Sequence, residues 1–71
     1  MNQNIKLAIE AVYASRGDDF QRAKLAFRGL SKEEMQEQHG ESGQTRQEIL
    51  DGYRAYQDKC DEAIEYLKHL S

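Results

Sequence analysis

The residues of this chain that could do chemistry are few, and the densest group is Gly40-Glu-Ser-Gly-Gln-Thr-Arg46. It sets two glycines, Ser42, Thr45 and Arg46 where the pattern predicts the start of a helix. Free backbone N–H groups and the positive end of a helix dipole make such a place receptive to an anion. Arg46 has the planar fork that clamps a carboxylate or phosphate through two bonds. Ser42, Gly43, Thr45 and Arg46 are therefore the candidate contacts for an anion or a partner. The segment is not a Walker-type loop, because the GxxxxGK[ST] spacing and its lysine are missing. Turn and cap chemistry alone explains Gly40, Gly43 and Thr45, which leaves Ser42 and Arg46 as the surplus. A cation at a helix N-terminus opposes the dipole by a few tenths of a kcal/mol. Arg46 is thus expected to answer an anion, either a neighbour such as Glu41 or Glu48 or one from outside. On that reading Arg46→Ala spares the melting temperature.

Catalysis has little foothold. Cys60 is the single cysteine, and neither His39 nor His69 has a defined relation to it. A buried structural thiol is the expectation for Cys60. One cysteine and two histidines without paired spacing do not make a zinc site. Glu33, Glu34 and Glu37 could gather a cation only in the way any acidic helix does. No catalytic, cofactor-binding or metal-ligating residue is assigned, no cofactor is expected, and the chain reads as a non-enzyme. Lys24, Arg28 and Lys32 fall at i, i+4 and i+8. If their helix is continuous they form a basic strip, complementary to Asp58, Asp61, Glu62 and Glu65 further on. No aromatic residues interleave with that strip, so stacking on single-stranded nucleic acid is not supported.

The elements that position these residues are helical. Ile49, Tyr53, Tyr56, Cys60, Ala63, Leu67 and Leu70 alternate spacings of four and three, which is a heptad seam on one long helix. That helix opens at the capping box Thr45-Arg-Gln-Glu48 and runs to about Leu70, roughly 37 Å. Gly52 interrupts it and is expected to admit a close neighbouring helix. A first helix, capped by Asn2 or Asn4, runs to about Ser15 before Gly17. It carries two apolar stripes, Ile5-Ile9-Val12 and Leu7-Ala11-Ala14, and wants burial over most of its circumference. A second helix, capped by Asp18 or Asp19, carries Phe20, Ala23, Phe27 and Leu30. Gly29 and the capping box Ser31-Lys-Glu-Glu34 favour a break there and a short third helix from Ser31 to about Gln38. The stretch 39–44 is a loop.

The chain has 71 residues and no proline, which bounds it to a single helical domain over 1–71. A core this small usually needs a staple, a metal or a partner. A lone cysteine supplies no internal disulfide, so association is the remaining source of buried area. Within the seam and beside it, Tyr53, Tyr56, Leu25, Leu50 and Ile64 are the apolar leftovers and hence the candidate interface. Mean hydropathy is −0.94, and no apolar run approaches the roughly 20 residues of a bilayer crossing. The N-terminus makes a poor signal peptide. A cytoplasmic location and no membrane role are expected. The net charge of −3 divides into +3 for residues 1–32 and −6 for 33–71. An acidic chain disfavours duplex nucleic acid as a partner.

Leu30 to Leu67, and within it SGQTRQEILDGY from Ser42 to Tyr53, resembles a group of small uncharacterised helical proteins encoded by phages and prophages. The resemblance implies a phage accessory role, such as binding and altering a host protein, and it carries over no site residues. The expectation is an all-α fold, a small helical bundle with a long C-terminal helix in an antiparallel helical hairpin. The expected function is a self-associating protein–protein interaction module. The alternative is a binding protein for an anionic small molecule or nucleotide at the Gly40–Arg46 helix start.

Overall fold

The computed structural model describes residues 2–70. Among the described residues four helices follow one another: α1 (Gln3–Arg16), α2 (Asp19–Ala26), α3 (Lys32–Met35) and α4 (Arg46–His69). The fold is all-α, and the long C-terminal helix packs against the N-terminal one. The chain divides into two compact units, one of residues 1–17 with 56–71 and one of residues 18–55.

The helix ends follow side-chain chemistry. The Asn2 side chain accepts from the Asn4 N–H at 2.7 Å and starts α1. The helix ends at Arg16, one residue beyond Ser15, with Gly17 as its C-cap at φ +61° as expected. Asp18 precedes α2 without making a side-chain cap bond, and its carboxylate instead meets Arg22 one turn on. Both capping boxes form. Ser31 Oγ accepts from the Glu34 N–H at 3.1 Å while Glu34 Oε1 accepts from the Ser31 N–H at 3.2 Å. Thr45 and Glu48 repeat the exchange at 3.1 and 3.4 Å. Each N-cap of this kind contributes about 1 kcal/mol.

The break between α2 and α3 is real, and it lies at Phe27–Ser31. Gly29 takes φ +83°, a left-handed conformation that a side chain strains to adopt. The break also removes the basic strip, which required one continuous helix. Lys24 sits on α2 with Nζ 5.3 Å from the Phe20 ring centre, Arg28 lies in the turn, and Lys32 opens α3. The third helix is a single turn ending at Met35 rather than Gln38.

In the first unit, Ile9, Cys60 and Ile64 are the buried core, flanked by half-buried Ile5, Val12, Ala63 and Leu67. Burial along the C-terminal half of α4 takes in Cys60, Ala63 and Leu67 of the expected seam and adds Gln57 and Ile64, while Tyr56 is exposed, so the buried face is turned by less than one residue from that seam. The larger Ile64 gains more from desolvation than alanine does, so it sets the rotation of the helix. Of the two stripes on α1, the Ile5-Ile9-Val12 stripe turns inward. Leu7, Ala11 and Ala14 are exposed, which corrects the expectation of near all-round burial. The Ser15 and Tyr56 hydroxyls bond to each other, and the Arg16 guanidinium holds Asp61 at 2.7 Å.

In the second unit Ala23 is buried, and Phe20, Phe27, Leu30, Met35, Ile49 and Leu50 are half-buried around it. The Phe27 ring meets the His39 ring edge-on at 5.5 Å. Gly52, placed to admit a close helix, has nothing within 4 Å of where a Cβ would stand.

Candidate functional site

The Gly40–Arg46 segment forms as a helix start, but its polar groups are already engaged. Gln38 and Thr45 pair in an antiparallel bridge. On either side of it the His39 N–H donates to the Gln44 carbonyl at 2.9 Å and the Arg46 N–H to the Glu37 carbonyl at 3.2 Å. The loop is therefore a stapled turn. Ser42 Oγ accepts from the Gln44 N–H at 3.3 Å and lies 3.5 Å from the His39 carbonyl that it donates to. Thr45 Oγ1 caps Glu48. Gly43, at φ +75°, supplies the turn.

Arg46 does answer an anion, but neither of the neighbours anticipated. Its Nη1 donates to the Glu34 carbonyl at 2.8 Å and to Glu37 Oε2 at 3.3 Å, and the side chain is 24 % exposed. Glu34 lies in the last turn of α3, where its carbonyl accepts from the Glu37 N–H at 3.2 Å and still favours a cation. The guanidinium opposes the dipole at the start of α4 and satisfies the carbonyl end of α3. The segment's surplus residues thus join α3 to α4. With these contacts Arg46→Ala is expected to cost stability, where the sequence alone led us to expect the melting temperature to be spared. Sequence reasoning missed Glu37 because nothing before folding brings a residue nine positions earlier beside Arg46.

The interface candidates separate. Leu25 is 68 % exposed, and Tyr53 and Tyr56 are also exposed. Leu50 is half-buried in the second unit. Ile64 is 3 % exposed, the most buried core residue, so its surface is already covered within its own unit and it leaves the candidate interface. Leu7, Tyr13, Tyr66 and Leu70 join the exposed large hydrophobic side chains. Tyr66 and Tyr13 had not been singled out.

Each compact unit carries an apolar concavity. Between α1 and the C-terminal half of α4 runs an open apolar groove of about 340 Å³. Ala11, Val12 and Ser15 of α1 and Tyr56, Lys59, Cys60 and Ala63 of α4 line it. The second unit has a hollow of about 380 Å³ lined by Ala23, Phe27, His39, Ile49 and Tyr53, with Asp19 and Arg22 among its polar groups. Arg22 is exposed and turned to Asp18 at 3.2 Å.

Electrostatics at the groove's end come from one pair. The hydrogen bond that Arg16 donates to Asp61, opposed in part by desolvation, raises the pKa of Arg16 above its ordinary value. Raising an arginine keeps it charged, and any stability linked to that proton is present at all lower pH and lost only in strong alkali. Cys60 is buried at 7 % exposure, as its place in the seam predicts. Among the described residues no three His, Cys, Asp or Glu side chains gather where they could hold a metal ion. No helix among them is long and apolar enough to cross a membrane.

Compared with known proteins, the chain matches no family model, no curated protein and no solved structure.

Proposed function

We propose that this chain is a non-enzymatic protein–protein interaction module that associates with copies of itself. One observation carries the reading. Seven large hydrophobic side chains stand exposed, against four buried hydrophobic residues that are small or aliphatic. Scattered exposed apolar residues are ordinary, but four of the seven are tyrosines and Tyr56 lines an open apolar groove, and aromatic residues are enriched in interface cores. The Gly40–Arg46 segment supports the same reading from the other side. Its hydroxyls bond Glu48 and Gln44 and the Arg46 Nη1 bonds Glu34 and Glu37, so these groups already serve the fold.

The resemblance of Leu30–Leu67 to small phage and prophage proteins supports an accessory role in the host cytoplasm, with a host protein as a further partner. Light scattering of the chain across a concentration series tests the association. A mass that rises from one chain to two at micromolar concentration is expected, and a single-chain mass up to about 100 µM refutes it, since stable interfaces hold at micromolar concentration or below.

A further inference from the structure

We propose that α1 is a strap. It lifts off the C-terminal half of α4 while residues 18–55 stay folded, and its lifting is what bares Cys60. This motion belongs to the single chain and does not depend on self-association.

Connectivity sets the order of opening. The second unit is one continuous stretch, residues 18–55. Its elements are joined by the Gly29 turn and by the loop that the Gln38–Thr45 bridge closes. The first unit is assembled from two stretches that the whole second unit separates, α1 and the C-terminal half of α4. With residues 18–55 unfolded, bringing those stretches together would close a long flexible loop, at the entropic cost such loops carry. The first unit therefore leans on the second, and the second does not lean on the first.

The fastenings of each unit agree with that order. In the first, Ile9, Cys60 and Ile64 are the whole buried core. The polar fastenings of α1 to α4 are the Ser15–Tyr56 hydroxyl bond and the Arg16–Asp61 pair, whose side chains are 27 % and 49 % exposed. Pairs open to water hold weakly. In the second unit, two capping boxes, the Gln38–Thr45 bridge and the Arg46 contacts to the Glu34 carbonyl and Glu37 all lie within residues 31–48. An element held by few buried side chains opens at a lower free energy than the whole chain. Gly17 supplies the hinge. It follows α1 at φ +61° with nothing within 4 Å of where a Cβ would stand, so its backbone turns without a side chain to displace.

Cys60 reports the motion. It is 7 % exposed, and in the groove it stands with Ala11, Val12 and Ser15 of α1. Lifting α1 uncovers the thiol while α4 remains a helix, so a reagent reaches sulfur without global unfolding.

The test follows two readouts on the full chain, labelling of Cys60 by a thiol reagent and amide hydrogen exchange of residues 18–55, in the parent, Arg46→Ala and Ile9→Asp. In the parent, each rate divided by its unprotected rate should show Cys60 opening at least about tenfold more often than the slowest amides of residues 18–55. Arg46→Ala weakens the second unit in both its native and its strap-open forms. It should speed those slowest amides at least about tenfold and leave Cys60 labelling within about twofold of the parent. Ile9→Asp sets a carboxylate in the seam, which cannot close over it without a large desolvation cost. Cys60 should then label like an unfolded thiol while residues 18–55 keep protected amides. Two results overturn the strap. One is Arg46→Ala speeding Cys60 and the slowest amides by the same factor, which means that the chain opens as one body. The other is Ile9→Asp losing amide protection throughout residues 18–55.

Discussion

Replacing Arg46 with alanine removes two contacts at once, and their sizes can be worked from the structure. The bond from Nη1 to the Glu34 carbonyl, at 2.8 Å, is charge-assisted. Such bonds contribute about 1.5–3 kcal/mol. The lower end applies, because the Glu34 carbonyl also accepts from the Glu37 N–H at 3.2 Å and water can reach it once the arginine is gone. The ion pair with Glu37, whose side chain is 64 % exposed, adds no more than about 0.5 kcal/mol. The total is about 2 kcal/mol, or a fall in melting temperature of roughly 8–16 °C for a chain of this size. Thermal denaturation followed by circular dichroism at 222 nm measures it. Glu37→Gln serves as the partial lesion and should cost about a quarter as much. Arg46→Lys should fall between, since a strongly hydrated ammonium keeps the charge but loses the planar geometry with which Nη1 meets both acceptors. An Arg46→Ala protein that melts within about 2 °C of the parent would refute the reasoning and return Arg46 to the list of ligand contacts.

Three further outcomes follow from the packing. Ile64→Ala should cost about 3 kcal/mol through lost burial and a cavity, while Leu25→Ala should stay within about 0.5 kcal/mol, both read from urea titrations. Gly52→Ala should raise the melting temperature, by about 0.5–1 kcal/mol of helix propensity, because its added methyl meets nothing within 4 Å. Cys60 should react with a thiol reagent far more slowly in the folded chain than in urea, and rapid labelling of the native protein would contradict its burial.

Much of the local architecture was legible because local chemistry decides it. Ser31 with Glu34 and Thr45 with Glu48 signalled two helix starts, Gly29 signalled the break between α2 and α3, and alternating spacings signalled α4. What the sequence concealed was rotation and distance. The seam expected through Tyr56 and the buried face that adds Gln57 and Ile64 differ by less than one residue's turn, and only the opposing stripe of α1 selects between them. Ile64 therefore passed for an interface residue while being the centre of a core. Arg46 was recognised as a residue in need of an anion, but the turn that carries Glu37 and the Glu34 carbonyl to it exists only after Gln38 and Thr45 pair. Leu7, Ala11 and Ala14 were visible as a second apolar stripe on α1. That stripe marked a surface left uncovered, not one that the rest of the chain would bury.

Static light scattering of the purified chain from about 1 to 100 µM tests the central claim most directly, since stable interfaces form at micromolar concentration or below. Self-association predicts a mass climbing from 8.2 kDa to twice that value across the series. A mass fixed at 8.2 kDa throughout would contradict it.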